Sequence, residues 1–195
     1  MGRAHPHIEV KIVNPATGLT VPRGETGELC TRGYSVMLGY WQEPDKTREV
    51  IDAAGWMHTG DLARMDAAGY CSIVGRTKDM VIRGGENVYP REVEEFFYTH
   101  PDVTDVQVIG VPDATYGEEL MAWVRLRPGA TTGPDALREF CRGRLAHYKI
   151  PKYVRVLAEG EEFPMTVTGK IQKFLMRERA VELLGLQREA RTPTA

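Results

Sequence analysis

Hydrophobic and polar positions alternate over short runs in residues 1–75, a pattern that is typical of β-strands. In residues 8–13, isoleucine and valine alternate with charged residues, which predicts a strand with one buried face. The same reasoning predicts further short strands at 27–33, 36–41 and 70–74. One short helix is predicted at 45–51, after Pro44. We therefore expect the first part of the chain to be almost entirely β.

The pattern changes after residue 78, where strand-like runs alternate with stretches of helical periodicity. Pro90 and Pro134 are each placed to begin a helix, and a third, amphipathic helix is predicted over 171–184. Strands are predicted at 81–82, 106–108, 120–127 and 152–157. Side chains at core spacing are Phe96, Phe97, Trp123, Leu137, Phe140 and Leu145. This alternation predicts a compact α+β unit.

The two patterns divide the chain near the short charged segment 76–79. The predicted domains are residues 1–76, residues 77–186 and a polar tail at 187–195. The second domain carries enough apolar residues for a core of its own. The first, taken alone, is expected to expose an apolar face and open sheet edges.

Composition limits the functions that need to be considered. The net charge of −2 indicates no broad basic surface for nucleic acid. No apolar run reaches the length of a membrane span, and the start lacks the apolar core of a signal peptide, so we expect a cytoplasmic protein. Cys30, Cys71 and Cys141 lie far apart, and no cysteine and histidine show the spacing of metal ligands. We therefore expect packing cysteines and no metal site.

Three short motifs carry candidate chemistry, each with a simpler alternative. Asp61 follows Gly60, and a carboxylate at the tip of a tight glycine turn can accept hydrogen bonds from ribose hydroxyls; the alternative is an ordinary Asx turn. Gly84 and Gly85 lack a Cβ and allow close approach of a ligand; the alternative is a two-glycine hairpin turn. The ammonium of Lys170 can stabilise charge on a phosphate; the alternative is a solvated lysine.

The order of these motifs resembles the C-terminal signature of the adenylate-forming enzymes, the superfamily of acyl-CoA synthetases, luciferases and peptide-synthetase adenylation domains. The similar segments are residues 56–61, 75–94, 148–152 and 164–170. Details within 86–94 and 147–151 are most similar to bacterial acyl-CoA synthetases acting on fatty or aryl acids. The residues before Lys170 do not form a Walker phosphate loop, since Pro164 stands where that loop needs glycine.

The resemblance implies a role for each matching position. Asp61 and Arg76 would bind the ribose of the nucleotide, and Lys78 would be the hinge of a mobile lid, although a charged surface turn explains Lys78 equally well. Lys170 would be catalytic, bridging the substrate carboxylate and the α-phosphate. The residues implied to contact coenzyme A are Gly84, Gly85, Glu86, Tyr116, Tyr148, Lys149 and Lys152. For residues 148–152, a plain helix exit is the alternative.

The resemblance also implies what the complete enzyme would use: ATP, Mg²⁺, coenzyme A and a fatty or aryl acid. The phosphate loop and the acidic Mg²⁺ motif of the family are absent from this sequence. We therefore interpret the chain as the C-terminal third of a synthetase. It would consist of a β-barrel-like subdomain followed by the lid, and its partner would be the missing N-terminal large domain. No cofactor is expected to bind tightly to it alone.

Three alternatives to that interpretation remain open. The chain can be a stand-alone, non-catalytic module, or half of a split enzyme that binds nucleotide, a carrier protein or a separate N-terminal half. It can also be a relative of luciferases or peptide synthetases.

Overall fold

The computed structural model describes residues 2–187 and 189–191. The chain forms two compact units, Met1–Lys78 and Asp79–Ala195. The division after Lys78 lies two residues beyond the predicted division after residue 76. Most of the predicted polar tail at 187–195 lies outside the described residues. Within the part that is described, Glu189–Arg191 form a 3₁₀ turn. Within the described part of the chain, no helix has the length and apolar character needed to cross a membrane.

The first unit is built on one antiparallel sheet. Its strands are β1 (Ile8–Val13), β2 (Thr26–Gly33), β3 (Met57–Met65) and β4 (Cys71–Arg76), and one helix, α1 (Pro44–Val50), separates β2 from β3. Each strand pairs with the next one along the chain, in the order β1-β2-β3-β4. The two outer strands do not pair with each other among the described residues, so this sheet is an open meander and not a closed barrel. The mixed α+β class is confirmed, with an open sheet where a barrel-like one was expected.

One strand prediction for the first unit is wrong, and one strand was not predicted. Residues 36–41 form no strand, because Leu38 and Trp41 are fully or almost fully exposed and Gly39 has a φ of 156°. Leu38 and Trp41 therefore do not pack into a core within this unit. The prediction also missed β3, where a register shift between Leu62 and Ala63 breaks the alternation that identifies a strand.

The second unit is a five-stranded sheet with helices on both faces. The strands are β5 (Val81–Arg83), β6 (Glu86–Val88), β7 (Val103–Asp113), β8 (Gly117–Leu126) and β9 (Tyr153–Val156). The helices are α2 (Pro90–Phe97), α3 (Pro134–Cys141) and α4 (Lys173–Leu184). The order is β6-β5-β8-β7, and β9 pairs with β8 in parallel.

Both faces of β7 and β8 are apolar, which explains why this sheet carries helices on each side. One cluster joins the sheet to α2 and α3 and includes Phe97, Leu120 and Leu137. The other joins the opposite face to α4 and includes Trp123 and Met176. Successive side chains of a strand point to opposite faces, so neighbouring residues of β8 feed different clusters.

Most predictions for the second unit agree with the structure. The helices α2 and α3 begin at Pro90 and Pro134, as predicted. The predicted core residues Phe97, Trp123 and Leu137 are fully buried, whereas Phe96, Phe140 and Leu145 are only half-buried. The helix α4 begins at Lys173 and is less amphipathic than predicted, because Phe174 and Leu183 are exposed. The short strand β6 was not predicted.

Candidate functional site

Asp61 and Arg76 face each other across the first sheet. They are register partners on β3 and β4, and Asp61 Oδ1 lies 3.3 Å from Arg76 Nε. Both side chains remain partly exposed. The pair therefore presents a carboxylate acceptor beside a guanidinium donor, a combination that can bind neighbouring hydroxyl groups of a sugar.

The predicted tight turn before Asp61 is wrong, since Gly60 and Asp61 lie inside β3. Gly60 has a φ of 71°, a left-handed conformation that glycine adopts without strain. Its N–H donates to Glu28 Oε1 (3.0 Å), and the N–H of Asp61 donates to Thr59 Oγ1 (3.1 Å). Glu28 thus supports the segment from β2, a role that its sequence position does not indicate.

Lys170 lies in a closed loop between Pro164 and α4. Met165 and Ile171 form a bridge, the N–H of Thr166 donates to the carbonyl of Lys170 (2.9 Å), and the N–H of Lys170 donates to Thr166 Oγ1 (3.1 Å). The backbone is therefore held while the side chain is exposed. Among the described residues, the ammonium has no ion-pair or hydrogen-bond partner. It is available to an anionic ligand.

Gly84 and Gly85 form the two-residue turn between β5 and β6, with φ of 57° and 87°. This is the hairpin-turn geometry that was the simpler alternative for these glycines. Packing also favours glycine at position 84, because a Cβ there would lie 3.0 Å from the ring of Tyr116. The N–H of Gly84 donates to the Tyr116 carbonyl (2.9 Å). Glu86 follows the turn and is exposed.

A buried ion pair anchors this hairpin to the sheet. Arg83 Nη2 lies 2.6 Å from Glu119 Oε1, and Glu119 is almost completely buried. The hydrogen bond to Glu119 raises the pKa of Arg83. The Arg83 guanidinium also lies 4.2 Å from the centre of the Tyr116 ring. Sequence reasoning missed Glu119; an acid directly before the apolar run 120–124 of β8 was the available signal.

The two lysines proposed for coenzyme A are already paired with acids. Lys149 Nζ donates to Glu92 Oε1 (2.6 Å), and Lys152 Nζ donates to Asp113 Oδ2 (2.6 Å). The hydrogen bond with Asp113 raises the pKa of Lys152. Tyr148 is half-buried against the core instead of being fully presented to solvent. An incoming phosphate would therefore have to compete with a carboxylate at either lysine.

Lys78 lies in the 3₁₀ turn Thr77–Asp79, where the two units divide. Its side chain is exposed. The Asp61–Arg76 pair belongs to the first unit, whereas Lys170 and the glycine hairpin belong to the second. The hinge role of Lys78 stays a prediction.

The structure brings together a cysteine and a histidine whose sequence spacing is not that of metal ligands. Cys30 Sγ lies 3.5 Å from His58 Nδ1, although 27 positions separate them in the sequence, and Glu28 Oε2 lies 2.8 Å from the same nitrogen. The pairing of β2 with β3 produces this group, which we call the Glu28–Cys30–His58 cluster. Sequence spacing cannot show it, because the residues belong to different strands.

Comparison with known proteins extends these local observations. Residues 92–170 match the family described as AMP-binding enzyme C-terminal domain, and residues 1–41 match the family described as AMP-binding enzyme. YngI of Bacillus subtilis (strain 168), named as an acyl-CoA synthetase, is 57% identical over 95% of this chain and 33% of its own length. The mitochondrial medium-chain acyl-CoA ligase ACSF2 of Bos taurus is 52% identical over 95% of this chain and 30% of its own length.

A solved structure shows the same fold. ATP-bound MatB from Rhodopseudomonas palustris superimposes with a TM-score of 0.88 at 38% identity, over 94% of this chain and 36% of MatB. The chain thus spans about one third of the length of the relatives that it matches.

Proposed function

Because this chain belongs to the adenylate-forming (AMP-binding) enzymes and corresponds to their C-terminal part, we propose that it supplies the mobile lid of an ATP-dependent acyl-CoA synthetase. The proposal rests on the environment of Lys170. Its ammonium is exposed and has no partner among the described residues, and its loop is held by backbone contacts. Such a group can meet developing negative charge without first giving up a protein partner.

In the first half-reaction, a carboxylate oxygen of the acid attacks the α-phosphorus of ATP. The bond from that phosphorus to the bridging oxygen breaks, and pyrophosphate leaves. Lys170 stabilises the charge that builds between the carboxylate and the α-phosphate, and Asp61 with Arg76 holds the ribose.

Mg²⁺ does not fit the residues of this chain that are assigned to the nucleotide. Asp61 is a single carboxylate that already pairs with Arg76 at 3.3 Å, whereas Mg²⁺ is usually held by carboxylates together with phosphates and water. We therefore assign the ion to the remainder of the enzyme.

In the second half-reaction, the thiol of coenzyme A loses its proton to solvent and attacks the acyl carbonyl, and AMP leaves with the electron pair of the broken acyl–oxygen bond. We propose that the lid turns about Lys78 between the two steps, so that the Gly84–Gly85 turn lines the channel for the thiol arm. Using one lid in two positions lets each transition state have its own set of contacts. Tyr116, Glu86, Tyr148, Lys149 and Lys152 are the further candidates for contact with coenzyme A.

The substrate that we propose is a fatty acid of medium chain length, with aryl acids as the second class. The name of the ACSF2 relative supports medium-chain acids. The relatives' remaining two thirds would supply the acid pocket and the phosphate loop, and form the partner of this chain. The cytoplasmic location expected from the sequence stays a prediction.

The test uses a chimera in which this chain replaces the matching third of YngI. We expect Lys170→Ala to lower acid-dependent ATP–pyrophosphate exchange by about 10²–10³-fold, the cost of losing one transition-state contact. Formation of acyl-CoA from supplied acyl-adenylate should stay near the unsubstituted rate. Arg179→Ala, which removes an exposed cation from α4, is the matched control and should change neither reaction.

Equal losses in both half-reactions would contradict the role of Lys170. The 195-residue chain alone should show no exchange. Exchange by the chain alone, abolished by Lys170→Ala, would mean that it contains a complete ATP site and that the proposed division of labour is wrong.

A further inference from the structure

Three side chains that can ligate a metal converge on the first sheet, apart from any residue used above for catalysis. Glu28 Oε2, Cys30 Sγ and His58 Nδ1 all lie within 4.8 Å of one another. Cys30 is completely buried, whereas the side chain of Glu28 is 13% exposed and that of His58 31%. The cluster therefore has a buried sulfur at its base and one side that solvent can reach.

The spacing of the donor atoms suits a tetrahedral zinc ion. Zinc binds sulfur at about 2.3 Å and nitrogen or oxygen at about 2.0–2.2 Å, so neighbouring ligand atoms lie roughly 3–4 Å apart. The observed separations are 3.5 Å from Cys30 Sγ to His58 Nδ1 and 2.8 Å from His58 Nδ1 to Glu28 Oε2. A shift of a few tenths of an ångström in the partly exposed His58 ring would lengthen the separation between His58 Nδ1 and Glu28 Oε2 into this range.

The surrounding residues also have the arrangement that supports metal ligands. Asp52 Oδ2 lies 4.0 Å from His58 Nε2, on the far side of the ring from the cluster. Asp52 is itself held, because its Oδ1 accepts hydrogen bonds from the N–H groups of Ala54 and Trp56 (both 2.9 Å). In the empty site the 2.8 Å contact with the Glu28 carboxylate places the ring proton on Nδ1, so zinc binding moves that proton to Nε2, the nitrogen that faces Asp52.

We propose that Glu28, Cys30 and His58 form a binding site for one Zn²⁺ ion, with water as the fourth ligand. The combination of thiolate, imidazole and carboxylate is a zinc ligand set, and the hard cations Mg²⁺ and Ca²⁺ would not select a buried sulfur. This inference does not depend on the proposed function.

Binding requires that the thiol lose its proton. Burial, together with the nearby Glu28 carboxylate, raises the pKa of Cys30 to about 11, so the thiol is protonated when the site is empty. The S–H bond breaks as the S–Zn bond forms, and the proton passes to the buffer. His58 and Glu28 bind through free electron pairs on Nδ1 and Oε2.

An occupied site would lie next to Gly60 and Asp61, the segment proposed to bind the ribose. The second oxygen of Glu28 accepts the N–H of Gly60, which immediately precedes Asp61. A metal on Oε2 would therefore fix the carboxylate that supports this glycine. Zinc would tie β2 to β3 at the position from which Asp61 is presented.

The experiment titrates the full chain with Zn²⁺ alone in competition with a chromophoric chelator, and repeats the titration with Co²⁺. We expect one ion per chain and, with Co²⁺, the near-ultraviolet absorption of a sulfur-to-metal charge transfer. Because loss of an outer-shell partner alone weakens metal binding by about 10–100-fold, Cys30→Ser and His58→Gln should each weaken it by at least that factor. Asp52→Asn should weaken it less, because Asp52 lies 4.0 Å from Nε2, beyond hydrogen-bond distance.

The matched controls are Cys71→Ser, the other buried thiol of the same unit, and His147→Gln, a histidine outside the cluster. Neither should change the affinity or the charge-transfer band. Equal affinities in Cys30→Ser and Cys71→Ser, or a cobalt spectrum without the sulfur band, would overturn the site. Circular dichroism checks the fold of each variant, and His58→Gln, at a partly exposed position, decides the matter if Cys30→Ser does not fold.

Discussion

The two units of this chain differ in how much of their apolar surface they bury by themselves. Among the described residues, the first unit buries six hydrophobic side chains and the second buries twenty, although the second is only half as long again. The first unit also concentrates exposed aromatic and aliphatic residues in 34–41, including Leu38 and Trp41. The second unit thus has a core of its own, and the first has an exposed apolar segment that is suited to cover by further protein.

The difference follows from how each sheet is used. The sheet of the second unit is packed by helices on both faces, with Phe97 and Trp123 in separate clusters. The first sheet is an open meander with a single short helix, α1, which buries none of its own residues. Burial on both faces roughly doubles the apolar area removed from water per strand, and this area is the main source of stability.

The most severe test of the comparison is to separate the units. We expect residues 79–191 alone to unfold in one cooperative transition, because both clusters lie within them. Residues 2–78 alone should show no cooperative transition. Urea denaturation followed by circular dichroism measures both, and a sharp transition for residues 2–78 would break the distinction.

The tryptophans provide a matched pair of substitutions. Trp123→Ala should lower the free energy of unfolding of residues 79–191 by about 3–5 kcal/mol, since it removes a fully buried ring. Trp41→Ala, at 87% exposure, should change the stability of the full chain by less than about 0.5 kcal/mol. Urea midpoints give both values, and similar losses would mean that Trp41 contributes to a core within this chain.

The ion pairs give the next largest contrast. Glu119→Gln leaves the Arg83 charge without its buried partner and should destabilise residues 79–191 by about 3 kcal/mol. In the first unit, Glu9→Gln breaks the exposed Arg32–Glu9 pair and should have no resolvable effect, because solvent and salt screen that pair. Thermal melts at two salt concentrations test this, and a salt-sensitive loss for Glu119→Gln would count against a buried pair.

The smallest expected effect is on the pH dependence of the second unit. Burial alone would raise the pKa of Asp113, but hydrogen bonds from Lys152 and from the N–H groups of Tyr116 and Thr115 outweigh it and lower the pKa. The resulting stability is present above the ordinary aspartate pKa of about 3.9 and is lost as the pH falls through the lower folded value. Asp113→Asn should flatten the stability profile of residues 79–191 below about pH 4. If the variant lost stability below about pH 4 as steeply as the unsubstituted unit, Asp113 would not contribute to the pH dependence.

Local signals predicted most of the second unit correctly. Pro90 and Pro134 begin helices because proline fits the first turn, and Gly84–Gly85 makes the hairpin because both positions need a positive φ. These rules depend on a few neighbouring residues, so the sequence is sufficient for them. Prediction failed where packing decides, as at residues 36–41, whose apolar pattern is that of a strand but which have no strand partner.

The sequence by itself therefore determined the α+β class, the helix starts and the ordered motifs that identify the family. Only the tertiary structure decided that Asp61 lies within β3 opposite Arg76. It also decided that Lys149 and Lys152 pair with carboxylates, whereas Lys170 has no such partner among the described residues. It also decided that Glu28, Cys30 and His58 meet. The physical reason is that local conformation depends on adjacent residues, whereas pairing between strands joins side chains that the sequence keeps far apart.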